Sequence, residues 1–168
     1  MVRLLTLVLV LAAAGCSSLS PASFWATYRP ELIEAKYSDQ GPWGGVRWVQ
    51  WVSRAPAVFQ AKDVIEFATS HGWQCEDPVV VRSKQLLEWQ YAGRPVFPLH
   101  FGAADQPPEN DQVQDFPRAI KGDSLITRCK SGWTRVEPGT AKVSDAFGYI
   151  QIELTGSRLA VYHLWGEI

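Results

Sequence analysis

Hydrophobic and polar positions change period several times along the chain, and each change marks an element. Val46 to Ser53 (VRWVQWVS) alternates with period two, placing Val46, Trp48 and Val52 on one face and Val49 and Trp51 on the other. Both faces are largely apolar, so the run predicts a strand in the interior of a sheet. From Ala57 to His71 the period becomes helical. Ala61, Val64, Ile65, Ala68 and His71 share one face, Lys62, Asp63 and Glu66 lie elsewhere, and Gly72 supplies a C-terminal stop. Trp73 to Glu76 returns to strand spacing, with Trp73 and Cys75 on the same side. Val79 to Tyr91 fits a strand or a short helix equally.

The last third reads as β-structure. Ser124 to Val136 places Leu125, Cys129 and Trp133 on one face. Phe147 to Leu154 sets Ile150, Ile152 and Leu154 against Tyr149, Gln151 and Glu153, and Thr155, Gly156 and Ser157 turn the chain into Leu159 to Trp165, a β-hairpin. Nearer the start, Ser23 to Lys36 predicts a short helix with Pro30 near its beginning and a partial stripe of Leu32, Ile33 and Lys36. Ser38 to Gly45 (SDQGPWGG) is turn chemistry, and Phe97 to Asp115, rich in proline, glycine and acid, reads as a long exposed loop. The order of elements predicts an α+β fold, a mostly antiparallel sheet with two or three helices packed on one face.

Ahead of all this stands Met1 to Cys16, MVRLLTLVLVLAAAGC: a basic residue, an apolar run from Leu4 to Leu11, then small residues. The run is too short to span a bilayer and has the parts of an export signal. Because it ends on Gly15 and Cys16, it resembles a bacterial lipoprotein signal, in which cleavage precedes a cysteine that carries diacylglycerol. Alanine at position 13, where that family commonly has leucine, departs from the pattern. It leaves open ordinary cleavage after Ala14, at the A-x-A site Ala12 to Ala14. The lipoprotein resemblance implies residues 1–15 as signal, 16–23 as lipidated Cys16 with a short polar tether, and 24–168 as one globular domain. A stable anchor follows from the acylated cysteine. Ser17, where an inner-membrane lipoprotein would carry Asp, implies the outer membrane, with the domain facing the periplasm. The segments KYSDQGPWGGVRW and VYHLWGE are also similar to those of small bacterial lipoproteins that share a Tyr-Ser-Asp-Gln-Gly, aromatic, Gly-Gly pattern. That group implies a similar anchored domain and brings no activity, so no functional residue is carried over from it.

Cysteine count then gains a meaning. The chain has three cysteines. With Cys16 acylated, Cys75 and Cys129 remain to pair in an oxidising compartment, closing a loop that stabilises the fold by about 4 kcal/mol on the chain-entropy account. Two separate buried thiols are the alternative.

Loss of the signal leaves 153 residues, one domain's worth, and takes the net charge from −1 to −2 through Arg3. A near-neutral chain without a basic patch is no nucleic-acid binder. No G-x-S-x-G, H-E-x-x-H, EF-hand loop or phosphate-binding glycine loop occurs, so neither an enzyme nor a cofactor is expected. His71 is expected at a helix C-terminus, where the helix dipole favours its positive form, and His163 as a hydrogen-bonded sheet residue. A hydrolase built on His100 or His163 with an aspartate is the weakest reading.

Eight tryptophans are the most unusual compositional feature. Trp43, Trp48, Trp51 and Trp89 are candidates to face a partner, and Trp43, in a glycine-rich loop outside any periodic element, is the strongest. The acidic loop with Asp105, Glu109, Asp111 and Asp115 has no basic residue and suits a basic partner, although such loops are usually only solvated. By subtraction, the expected function is a non-catalytic protein-binding module with a periplasmic partner, including an immunity or inhibitor protein. An envelope-maintenance module that binds peptidoglycan or glycan through exposed aromatics is the alternative.

Overall fold

The computed structural model describes residues 22–40, 44–84, 90–91, 94–95, 120–136 and 143–166. The signal region with Cys16, and Trp43, Trp89, His100, Asp105, Glu109, Asp111 and Asp115, lie outside the described residues.

The strands are β1 (Ile33–Gln40), β2 (Gly44–Val52), β3 (Gln74–Cys75), β4 (Val79–Val81), β5 (Gln90–Tyr91), β6 (Arg94–Pro95), β7 (Ser124–Val136), β8 (Val143–Glu153) and β9 (Arg158–Gly166). Seven of them form a single antiparallel sheet in the order β1-β2-β9-β8-β7-β3, with β4 pairing β7 beside β3. β5 and β6 pair separately. The α+β expectation therefore holds as a mostly antiparallel sheet, but among the described residues there is one α-helix, α1 (Ala61–Ser70), and not two or three.

The missing helix is the one expected from Ser23 to Lys36. Two 3-10 turns, Ser23–Thr27 and Pro30–Leu32, take its place, and β1 begins at Ile33. Arg29 takes the left-handed conformation at φ 40° directly before Pro30, a residue that bars the α region to its predecessor. Of the expected stripe, Leu32 and Ile33 pack against the core while Lys36 is exposed, and the turns are fastened by buried Trp25 and Tyr28, whose carbonyl accepts from the Trp51 indole N–H at 2.7 Å.

α1 starts four residues later than its periodicity suggests. Ala57 is left-handed at φ 57°, and residues 53–59 lie along the β8–β9 turn, with Ser53, Ala57 and Phe59 N–H groups donating to the carbonyls of Ser157, Thr155 and Gly156. After α1, Gly72 at φ 89° reverses the chain as expected. His71 caps the helix, its Nδ1 2.8 Å from the Phe67 carbonyl and its ring stacked on Phe24.

The helix covers one face of the sheet. Val64 and Ala68 meet Val49, Trp51, Leu159, Val161, Ile150 and Ile152 in a core that also takes in Trp25 and Trp73. Trp25 packs edge-on against both Trp51 and Trp73. The other face is also buried at its centre, through Ile126, Tyr149, Gln151, Ala160 and Tyr162. Gln151 is accommodated there by donating to the Ile120 carbonyl and to Ser124 Oγ, which itself donates to the Gly122 carbonyl.

Trp133 departs from expectation. Between Lys130 and Thr134 the β7–β8 register shifts, so three residues of β7 oppose Ala146, and Gly132 takes φ 76°. The bulge turns Trp133 out to 41% exposure, away from the core that holds Leu125 and Cys129. The disulfide between Cys75 and Cys129 is present. It joins directly opposed residues of β3 and β7, and because Glu76 N–H bonds the Arg128 carbonyl, the cysteines occupy the adjacent non-hydrogen-bonded pair, where facing Cα atoms lie closest.

Gly148 and Gly132 separate two costs of adding a methyl group. A Cβ at Gly148 would lie 2.1 Å from the Trp73 ring, whereas at Gly132 it meets nothing. Gly148→Ala is therefore expected to destabilise by about 3 kcal/mol or more, and Gly132→Ala by about 1 kcal/mol through backbone strain alone. Urea unfolding measures both, and equal costs would show that the Trp73 ring moves freely. Replacing Cys75 and Cys129 together by alanine is expected to lower stability by about 2–4 kcal/mol in the same assay, and an unchanged midpoint would remove the disulfide from the stabilising account.

Candidate functional site

Strand register places two rows of side chains across the sheet, one residue apart and hence on opposite faces. On the face away from α1 the row runs Tyr37, Trp48, Tyr162, Tyr149 and Arg128 across β1, β2, β9, β8 and β7. Arg128 closes it with an ion pair to Glu76 and with its guanidinium 4.7 Å over the Phe147 ring. On the α1 face the row runs Ser38, Arg47, His163, Gly148, Cys129 and Cys75. The two segments KYSDQGPWGGVRW and VYHLWGE, far apart in sequence, contribute to three adjacent strands and supply Tyr37, Trp48 and Tyr162 of one row and Ser38, Arg47 and His163 of the other.

Exposure grades along the aromatic row. Tyr149 and Tyr162 are buried, Trp48 is partly buried, and Tyr37 is 46% exposed. The Tyr37 and Trp48 rings stack at 5.9 Å and 19°. Among the described residues β1 has a strand neighbour on one side only. Its outer edge runs for eight residues without proline, whereas the opposite edge is split into β3 and β4 around Pro78. Of the tryptophans expected to face a partner, Trp51 is core, and Trp48 is the described one that reaches toward solvent, as the inner member of the pair.

The polar row is unusual for where it places charge. His163 is 0% exposed, and among the described residues neither ring nitrogen has a hydrogen-bond partner, contrary to the expected hydrogen-bonded sheet residue. Its ring stacks on Trp165 and tilts against Trp73. Burial, reinforced by the neighbouring Arg47 charge, pushes its pKa down to about 3, so it is a neutral imidazole throughout the physiological range. Arg47 is itself partly buried, and burial lowers its pKa. Its Nε and one terminal nitrogen both donate to Ser38 Oγ at 3.3 Å, and no carboxylate pairs with it among the described residues. As a general base His163 lacks both an orienting carboxylate and solvent access.

Among the described residues no group of three or more His, Cys, Asp or Glu is placed to hold a metal ion, and no helix is long and apolar enough to cross a membrane. Comparison with known proteins returns no matching family model, curated protein or solved structure.

Sequence reading passed over Tyr37, Ser38 and Arg47. Their sequence signal is faint: a short alternating stretch with turn residues on its C-terminal side. Which strand lies beside which is a tertiary property, and the rows exist only once β9 docks on β2.

The buried imidazole gives stability a definite pH dependence. Since the folded-state pKa of about 3 lies below the ordinary 6.5, the unfolded chain binds the extra proton, and stability falls as pH drops below about 6.5. The slope from this residue approaches about 1.4 kcal/mol per pH unit down to about pH 3. Asp123, held below its ordinary 3.8 by the Ser83 N–H and Arg82, loses its contribution only as pH falls through and below that value. Between pH 6 and 4.5 the two are separable. His163→Leu is expected to flatten the dependence of unfolding free energy in that window by close to one proton, and parallel slopes for the two proteins would refute it.

Proposed function

We propose that the protein is a lipid-anchored binding module of the cell envelope, held at Cys16 to the periplasmic side of the outer membrane, that grips another envelope protein along the open edge of β1. The observation that carries this reading is Tyr37, an exposed ring on a strand that has one strand neighbour among the described residues, backed by Trp48 and a row of buried aromatics. An edge strand offers its free N–H and C=O groups to an extended segment of a partner, and a rigid aromatic beside it supplies the anchoring contact. The charges of Glu34 and Lys36, both exposed on the same strand, restrict which segments pair there. This mode of binding needs no catalytic group, and it suits an immunity or inhibitor protein, which acts by occupying a surface. The same exposed ring is also a stacking surface for a sugar, and wall glycan is the competing ligand.

Crosslinking in intact cells followed by pull-down distinguishes these. The expected result is one stoichiometric protein partner, retained by Cys16→Ser and reduced about tenfold or more by Tyr37→Ala. Recovery of wall fragments alone would transfer the function to glycan binding. Equal recovery of the partner by Tyr37→Ala would remove the β1 edge from the interface.

A further inference from the structure

The polar row on the α1 face has a chemistry of its own. Ser38, Arg47 and His163 are consecutive in register across β1, β2 and β9, on the face opposite the aromatic row. Adjacent strands lie about 4.8 Å apart, so the stems of Ser38 and His163 stand roughly 10 Å from one another with Arg47 between them.

Two independent observations point to a ligand. The first is His163, fully buried with both ring nitrogens unpartnered among the described residues, a condition that is destabilising and rare in folded proteins. The second is Arg47, a partly buried guanidinium with no carboxylate on it among the described residues, held to a neutral serine hydroxyl through two long hydrogen bonds. A guanidinium fork is built for bidentate contact with carboxylate or phosphate. Lys36, two residues before Ser38 on β1 and exposed, adds a further positive charge nearby.

We propose that Arg47, Ser38 and His163 bind a small oxyanion, a phosphate or carboxylate group, over β2. Arg47 turns its fork from Ser38 onto the anion, the Ser38 hydroxyl donates to it from the solvent side, and the imidazole donates one ring N–H from the buried side. Trp73 and Trp165 pack against the imidazole and keep it in place. This site and the β1 edge are separate, so each stands or falls alone.

The test uses the purified full-length protein, with sodium phosphate and sodium acetate as probes and sodium chloride at matched ionic strength as the control. At about ten times the dissociation constant, phosphate, acetate or both are expected to raise Tm by roughly 3–6 °C above chloride. A response to phosphate alone assigns a phosphate ligand, and one to acetate assigns a carboxylate. Arg47→Gln is expected to abolish the rise, and Ser38→Ala, at an exposed position with little bearing on folding, to reduce it several-fold. In the wild type the ring protons of His163 shift in NMR spectra as the anion is added. A Tm rise equalled by chloride, a full response in both variants, or no response at all would overturn the site.

Discussion

The ring of Trp73 rests on the backbone of Gly148, and most of the molecule is arranged around that contact. No other residue type at 148 leaves room for it, since a Cβ there would fall inside the ring. Trp73 directly follows the chain reversal at the end of α1, and its N–H bonds the Ala68 carbonyl. The indole thus ties the helix end to the middle of β8. Two residues later Cys75 is bonded to Cys129, the residue opposite Gly148 on β7. Non-covalent packing and a covalent bond therefore fasten the same short segment to adjacent strands. From Trp73 the core extends through Trp25 to Trp51, Tyr28 and Phe67, each pair of rings in the tilted or edge-on arrangement that aromatic quadrupoles favour.

That arrangement gives the two faces different characters. On the α1 face, the row that contains Gly148 also contains His163, and the indole that needs a glycine beside it is the one that packs on the imidazole. Excluding water from His163 is a by-product of seating Trp73. On the opposite face no helix docks among the described residues, and the neighbouring row of Tyr37, Trp48, Tyr162 and Tyr149 grades from exposed edge to buried centre. A partner meeting Tyr37 contacts a ring whose position is fixed by the sheet behind it, so little side-chain entropy is lost on binding.

Local pattern was a good guide wherever one element decides its own structure. The strand over Val46–Val52, the helical face of Val64 and Ala68, and the β8–β9 hairpin follow from period and turn chemistry that depend on near neighbours. Where the chain bends against its periodicity the pattern misled. The stripe at Leu32 and Ile33 is compatible with a helix, but Arg29 and Pro30 break the backbone and the edge of β2 captures the segment from Ile33 onward as β1. Trp133 lies at the right spacing to join Leu125 and Cys129, but the Gly132 bulge rotates it outward. Of the tryptophans read as partner-facing, Trp51 is core and Trp48 is the inner member of a pair whose exposed ring is Tyr37, since the stacking order depends on which strand is outermost.

Sequence by itself pointed to the mostly antiparallel sheet, the existence and buried face of α1, its glycine stop and the pairing of Cys75 with Cys129, because each rests on periodicity, turn stereochemistry or the count of thiols. Only the tertiary structure decided that β9 returns to pair with β2. That one pairing, between segments more than a hundred residues apart, brings Tyr162 beside the Tyr37–Trp48 pair on one face and His163 beside Ser38 and Arg47 on the other. Register between distant strands is set by how two buried faces fit together around Trp51, Trp73 and Gly148, and no spacing within either segment contains that information.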